Sequence, residues 1–213
     1  ALGILASRLM GLVRQRIFAH YLGVGPAAAA YAAAIRIPNF LQNLLGEGVL
    51  SASFIPVYAA LRAKHEDEEA DRVAGGVFGL LGLAMGLLVA LGVLFTDAFV
   101  AVIAPGFSGA QRELTVELTR LLFPGTGLLV MSAWCLGILN SHRRFFLPYA
   151  APVVWNGCII GALVLFGGRV ESEALARWVA IGTVVGSAAQ FLIQLPSVFR
   201  LFVRFRPSLA VGP

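Results

Sequence analysis

Residues 73–95 read VAGGVFGLLGLAMGLLVALGVLF, a run of 23 residues without a charged side chain. A helix needs about 20 apolar residues to cross the hydrocarbon core of a bilayer, which is roughly 30 Å thick. The whole chain has a similar character, with 59% hydrophobic and 13% charged residues, against roughly 45–50% and about 25% in soluble domains. The sequence therefore predicts an integral membrane protein.

The other apolar runs predict an all-α, polytopic bundle of six transmembrane helices. They are separated by a Gly-Val-Gly-Pro turn at residues 23–26, a charged run at residues 62–72 and an Ala-Pro-Gly-Phe break at residues 104–107. Glycine and proline in such positions end helices and open turns. The six helices form a single predicted domain, residues 1–213, and are expected at residues 2–22, 27–61, 73–103, 114–140, 148–166 and 174–199.

The orientation of this bundle follows from its loops. Short loops rich in Lys and Arg stay in the cytoplasm, and one side of the predicted bundle has eight such residues where the other has three. The amino terminus is therefore expected in the cytoplasm. The richer side carries Arg62, Lys64, Arg72, Arg143, Arg144, Arg200, Arg204 and Arg206, and the poorer side carries Arg112, Arg169 and Arg177.

The chain is basic, with a net charge of +5 and a pI near 9.9. A clustered basic face can indicate nucleic-acid binding, but here the sixteen Lys and Arg residues are scattered between apolar runs. Membrane topology explains this distribution better. No nucleic-acid partner is predicted, and membrane lipids are the expected surroundings.

Arginines inside the predicted spans are the most informative residues. An arginine that faces lipid at the centre of a span costs about 2.5–3.5 kcal/mol even on the lenient insertion scale. On helix 1, Ser7, Arg8 and Arg14 lie within a sector of about 120°, and most of the leucines lie opposite. Arg16 falls outside the sector and can reach the interface. Five arginines fall within spans: Arg8, Arg14, Arg16, Arg36 and Arg120.

A second polar stripe is predicted on helix 2, where Arg36, Asn39, Asn43 and Glu47 lie within about 80° of one another on a regular helix. Two such stripes on consecutive helices can enclose a hydrophilic cavity. The alternative is that Arg8 or Arg36 pairs with Glu47 as a conformational lock. The cavity is favoured because positive side chains outnumber negative ones there by three to one.

A cavity of this kind favours an anion, and arginine matches phosphate oxygens with two parallel hydrogen bonds. Diphosphate is the natural candidate, although the residues alone indicate only an anionic, phosphorylated ligand. The sequence contains no His-x-x-Glu-His, no Walker A pattern and no Ser, His and Asp set in a plausible register. Cys135 and Cys158 lie in apolar runs and are interpreted as core residues. The chain is therefore not expected to be an enzyme, and no metal or cofactor is predicted.

Several short motifs follow one another along the chain. They are Ser7-Arg8, Gly11 through Arg14, Gly23-x-Gly25, Pro38-Asn39, Glu47-Gly48-x-x-Ser51-x-x-Phe54-Ile55-Pro56, Ala104-Pro105-Gly106-Phe107, Leu139-Asn140, Pro148 with Ala151-Pro152, and Gln194-Leu195-Pro196. In these motifs and in their order, the sequence resembles the MurJ (MviN) lipid II flippase family of the multidrug/oligosaccharidyl-lipid/polysaccharide exporter superfamily. The resemblance covers essentially the whole chain.

The resemblance implies a flippase that moves the undecaprenyl-diphosphate-linked peptidoglycan precursor, lipid II, across the bacterial inner membrane. It also implies that these helices are the amino-terminal lobe of a two-lobed transporter that works by alternating access. The chain would then be truncated, and its missing carboxyl-terminal lobe would be its partner. The cavity arginines of the family carry over to Arg8 and Arg14, and its helix 2 glutamate carries over to Glu47.

Two departures from the family pattern keep other functions open. The family's basic pair on helix 2 is replaced by Gln42 and Asn43, and the acidic residue after the first turn is replaced within residues 27–30. An exporter of another lipid-linked oligosaccharide or of a drug is one alternative. A membrane scaffold that recruits cell-wall enzymes, with its buried charges serving as internal locks, is the other.

Overall fold

A computed structural model describes the backbone of residues 2–202 and the side chains of residues 5–46 and 48–202. All regular structure in this part of the chain is helical. A π-helical segment, Gln42–Phe54, joins α3 to α4. The α-helices are α1 Leu2–Leu22, α2 Pro26–Ala34, α3 Arg36–Leu41, α4 Ile55–Ala63, α5 Asp67–Leu94, α6 Thr96–Ile103, α7 Gly109–Ser141, α8 Phe146–Phe166 and α9 Ser172–Phe199.

Five helical stretches within residues 2–202 are long and apolar enough to cross a membrane. One of them, Pro26–Ala63, joins α2, α3, the π-helical segment and α4. The predicted all-α membrane bundle is thus confirmed. The first predicted span, α1, is not among the five because three arginines fall within its 21 residues. A helix of that length still extends about 31 Å, close to the hydrocarbon thickness.

Two predicted spans have different limits in the structure. The span expected at residues 73–103 is two helices, since α5 ends at Leu94 and α6 begins at Thr96. The break is stabilised by the Thr96 hydroxyl, which donates to the carbonyl oxygens of Gly92 at 2.6 Å and Val93 at 2.9 Å. The helix expected from residue 114 begins at Gly109 and forms the 33-residue α7.

The two long helices α5 and α7 have opposite surroundings. On α5, the leucines at positions 80, 83, 87, 91 and 94 are 43–73% exposed, and only 11% of its most apolar window is buried. On α7, 67% of the corresponding window is buried, and the helix packs on α2, α5 and α9. A largely exposed leucine face is expected only where lipid replaces water.

The buried residues form two clusters at different heights along α7, one on its residues 114–122 and the other on its residues 134–139. The first joins α1, α2, α7, α8 and α9 and includes Tyr31, Leu118 and Ile159. The second joins the π-helical segment, α4, α5, α7 and the end of α9 around Tyr58 and Trp134. The first cluster is the one that positions the candidate site, because Phe18 and Trp155 pack against it.

Close packing of α8 on α9 depends on two glycines of α9. A Cβ atom on Gly182 would lie 2.8 Å from the Ala162 Cβ, and one on Gly186 would lie 2.9 Å from the Trp155 carbonyl oxygen. Small residues allow such close approach in lipid, where helix association relies on van der Waals packing. The approach places Trp155 at the junction of α8, α9 and α1.

Candidate functional site

A cavity of about 280 Å³ lies between α1, the α2–α3 region and α8. Its lining contains one positively charged side chain, two side-chain amides, and several aromatic and aliphatic side chains. We call it the Arg14 cavity, and its lining residues are Arg14, Gln15, Phe18, Tyr31, Ala32, Ile35, Asn39, Trp155 and Ile159.

The fold brings these residues together through one turn and one ring contact. Gly23 has a φ of +60°, a left-handed conformation that glycine adopts without strain, and it reverses the chain between α1 and α2. The Phe18 and Tyr31 rings then lie 5.3 Å apart. The buried Tyr31 hydroxyl is bonded to the Thr183 hydroxyl at 2.8 Å, which anchors α2 to α9.

Arg14 is the central polar group of this cavity. It lies in the middle third of α1, its side chain is partly buried, and its guanidinium carbon is 4.9 Å from the centre of the Trp155 ring. Among the described side chains, no carboxylate lies within 4.0 Å of Arg14. Among the described side chains, the positive charge of the cavity is therefore in contact with an aromatic ring and with no carboxylate.

Two of the seven predicted site residues, Arg14 and Asn39, line this cavity. Ser7 is partly buried, but it lies outside the lining. Arg8, Arg36 and Asn43 are exposed on the surface of the bundle and are also outside the lining. The side chain of Glu47 lies outside the described residues, so the predicted lock between Glu47 and an arginine has no structural test.

The sequence reasoning missed Trp155 and Tyr31. Both fall in apolar runs, where aromatic residues usually belong to a core, and nothing in their spacing links them to Arg14. The link arises because α1 packs chiefly on α8, a helix more than a hundred residues further along the chain. Helical periodicity places Gln15 on the same polar sector as Arg14, but it was not among the predicted site residues, and the structure adds it to the lining.

A second polar region lies where α6 meets the first turns of α7, around a cavity of about 490 Å³. Arg120 donates to Asp97 at 2.8 Å, and Arg112 lies 4.0 Å from the same carboxylate. Arg177 of α9 donates to Glu117 at 2.9 Å. We call these five residues the Asp97 cluster. Its three arginines all have acidic partners, so it offers no free positive charge comparable to that of Arg14.

Metal chemistry has no support in the part of the chain that is described. Within it, no group of three or more His, Cys, Asp or Glu side chains could hold a metal ion. The cysteine thiols of Cys135 and Cys158 are free, and Cys135 is buried in the second core cluster.

Comparison with known proteins gives a consistent result. A lipid II flippase MurJ of Burkholderia cenocepacia is 30% identical over 98% of this chain, and a probable lipid II flippase MurJ of Thermotoga maritima is 33% identical over 98%. A solved structure titled lipid II flippase MurJ, inward closed conformation, superposes with a TM-score of 0.79 at 27% identity and covers 99% of this chain.

The match covers only part of those proteins. The chain spans 40% and 41% of the length of the two relatives and 43% of the solved chain. The sequence profile described as lipid II flippase MurJ matches residues 18–212. This match extends over nearly the whole chain and includes every helix after α1. The chain belongs to the lipid II flippase MurJ family.

Proposed function

We propose that this chain is the amino-terminal lobe of a flippase that moves lipid II, an undecaprenyl-diphosphate-linked peptidoglycan precursor, across the bacterial cytoplasmic membrane. The observation that carries the proposal is the Arg14 guanidinium, partly buried at the middle of a membrane-length helix without an acidic partner among the described side chains. Supporting it, every relative named above is described as a lipid II flippase or a probable one.

The energetics of Arg14 favour an anionic guest. An arginine at membrane depth costs several kcal/mol unless water, a counter-charge or a ligand compensates for its desolvation. Arginine binds phosphate oxygens in a bidentate arrangement. The side-chain amides of Gln15 and Asn39 line the same cavity and can donate to further oxygens. A diphosphate group, which is negatively charged and has several acceptor oxygens, is a suitable ligand for this set of donors.

The remaining predicted residues have a place in this proposal. Arg8, Arg36 and Asn43 are exposed on the isolated bundle, and we assign them, with Ser7 and Glu47, to a central pathway closed by a second lobe. That lobe would belong to the longer protein, because the chain spans about 40% of its relatives' length. Transport would proceed by alternating access, with the lobes rocking about the central site.

We also propose how the chain is oriented in the membrane, and that it is a transporter and not an enzyme. The amino terminus and the Arg143–Arg144 loop would face the cytoplasm, as the distribution of Lys and Arg indicates. The protein would move its substrate without forming or breaking covalent bonds in it. Lipid II, surrounding lipids and the carboxyl-terminal lobe would be its partners.

Complementation of a flippase-depleted strain tests the proposal in the complete protein. Arg14→Gln should abolish growth while insertion into the membrane stays normal. Arg16→Gln is the matched control, since Arg16 is two residues away, exposed and outside the cavity lining, and it should complement. Full complementation by Arg14→Gln would remove the basis of the proposal.

Native mass spectrometry of the complete protein defines the substrate class. Lipid II should bind, and its affinity should fall in Arg14→Gln. Binding of a different lipid-linked oligosaccharide with no binding of lipid II would favour the alternative exporter, which the exchange of the family's basic pair for Gln42 and Asn43 makes worth testing. Binding of neither, with cell-wall enzymes retained on the protein, would favour a scaffold.

A further inference from the structure

Arg14 is stabilised by an aromatic face where a carboxylate would be the ordinary partner. Its guanidinium carbon lies 4.9 Å from the centre of the Trp155 ring. The electron-rich face of tryptophan attracts a cation, and more strongly when both are removed from water. A carboxylate would neutralise the arginine and compete with an anionic ligand, whereas an uncharged ring leaves the full positive charge available.

The two interactions of the guanidinium do not compete for the same atoms. A guanidinium can place its flat face on an aromatic ring while its N–H donors point outward in the plane of the group. A ring on one face therefore limits the rotation of Arg14 and leaves its edge free for two parallel hydrogen bonds to phosphate oxygens. An arginine held in this way loses less conformational entropy when the anion binds.

Trp155 is itself fixed by the packing of α8 on α9. A Cβ atom on Gly186 would lie 2.9 Å from the Trp155 carbonyl oxygen and 3.0 Å from its Cδ1 atom. One turn further along α8, Ile159 is 1% exposed in the core cluster that Trp155 packs against. The indole is thus clamped against α9 on one side, and its ring meets Arg14 of α1 on the other.

We propose that Trp155 is a positioning residue for Arg14, which holds the guanidinium in the cavity by a cation–π contact without neutralising it, and so keeps it oriented for a diphosphate group. This inference rests on the proposed function of the Arg14 cavity. It assigns a role to a residue of α8 that carries no charge, and it gives Arg14 a stabilising contact where the described side chains provide no carboxylate.

Binding of farnesyl diphosphate to the complete protein in detergent, with farnesol as the uncharged control ligand, tests this role. Trp155→Leu should raise the Kd for farnesyl diphosphate about tenfold, and Trp155→Phe about threefold, in line with the strength of buried cation–π contacts. Trp155→Glu should abolish binding, because it supplies the neutralising carboxylate. Trp178→Leu is the matched control, since Trp178 stacks on Phe166 at 4.1 Å, away from the cavity, and its Kd should not change.

A spectroscopic measurement separates positioning from a merely structural role. In a protein with Trp134→Phe and Trp178→Phe, Trp155 is the only tryptophan among the 213 residues. Farnesyl diphosphate should shift its emission, and the shift should disappear when Arg14→Gln is added. Melting temperatures of Trp155→Phe and the wild type should agree within a few degrees.

The outcomes distinguish the two proposals. If Arg14→Gln leaves binding unchanged, the proposed function of the cavity fails. If Arg14→Gln weakens binding of farnesyl diphosphate while Trp155→Leu leaves it unchanged or tightens it, the proposed function of the cavity is supported and the positioning role of Trp155 is overturned. If Trp155→Leu weakens binding but Trp155→Phe restores none of it, shape and not the π face determines the effect, and the proposal is equally overturned.

Discussion

The Arg14 cavity and the Asp97 cluster both contain an arginine that the sequence places in a membrane span, yet the two arginines have opposite surroundings. Arg120 donates to Asp97 at 2.8 Å, and both side chains are about half exposed. Arg14 is partly buried beside Trp155, and no described carboxylate is within ion-pair distance. The comparison teaches that the presence of an arginine in an apolar run does not determine whether it has an acidic partner.

Helix length explains much of this difference. The 33 residues of α7 extend about 50 Å at 1.5 Å per residue, well beyond the roughly 30 Å of hydrocarbon. The first turns of α7, which carry Arg112, Glu117 and Arg120, can therefore stand in water or headgroups. The 21 residues of α1 leave no such margin, so a membrane-spanning α1 would place Arg14, near its middle, at hydrocarbon depth.

The largest expected difference between the two regions is in transport. Arg14→Glu in the complete protein should lower lipid II flipping about a hundredfold or more, because reversing one member of a desolvated charge interaction costs several kcal/mol. Arg120→Glu combined with Asp97→Arg keeps an ion pair with its direction reversed and should transport normally. Flipping in proteoliposomes measures both. An equal loss of flipping in the two proteins would show that the two regions do not differ in their role in transport.

A smaller effect, on the stability of the protein, is expected when the contact between α8 and α9 that holds Trp155 is changed. Gly186→Ala puts a Cβ atom 2.9 Å from the Trp155 carbonyl oxygen and should destabilise the protein by about 1–3 kcal/mol, as overpacking does. Gly157→Ala on α8 meets nothing within 4 Å and should be neutral or stabilising by up to about 1 kcal/mol. Thermal unfolding in detergent gives both values. A stabilised Gly186→Ala protein would contradict the tight α8–α9 contact.

Guanidinium groups stay protonated at any physiological pH, so a pH dependence of this protein has to come from other groups. His142, just after α7, behaves differently. Burial, followed by the charges of Arg62 and Arg144, lowers the pKa of His142 below its ordinary value, and its Nε2 atom is hydrogen-bonded to the Tyr58 hydroxyl at 2.9 Å.

The sign of the His142 effect follows from its lowered pKa. The unfolded chain takes up the proton first as the pH falls, so the stabilisation is complete above about pH 6.5 and is lost as the pH falls towards the pKa of the folded protein. The free energy of unfolding can change by at most about 1.4 kcal/mol per pH unit when one proton is bound. The change expected from His142 is smaller than this limit, because solvent screens a partly exposed group. His142→Gln should flatten the pH dependence of the melting temperature. An unchanged curve would show that other groups cause it.

The smallest effect is expected at the Asp97 cluster. Asp97→Asn removes the carboxylate that Arg112 and Arg120 share, and a half-exposed pair contributes about 0.2–1 kcal/mol. The loss should shrink in 1 M salt, where the Debye length is about 3 Å. Unfolding midpoints at low and high salt measure it. A loss that is large and insensitive to salt would mean that this cluster is as desolvated as the Arg14 cavity.

Much of the fold could be predicted from the sequence. The apolar run at residues 73–95 and the turns at residues 23–26 and 104–107 indicate a helical membrane bundle. The length of an apolar run and the positions of Gly and Pro can be recognised in short stretches of sequence, without knowledge of distant contacts. The predicted limits differ from the observed ones at α5, α6 and α7, since polar residues near a membrane surface do not end a helix. The polar sector of α1, including Arg14 and Gln15, follows from helical periodicity.

The composition of the cavity depends on contacts between distant parts of the chain. Helical periodicity brings Arg14 and Gln15 to one face, but only the packing of α1 on α8 adds Trp155. In the same way, the turn of α6 back onto α7 gives Arg120 its acidic partner. Sequence alone thus determined the membrane, the helices and the arginines inside them, since these depend on local length and polarity. The tertiary structure decided that Arg120 has an acidic partner and that Arg14 has none among the described side chains, because pairing depends on distances between helices that no local pattern specifies.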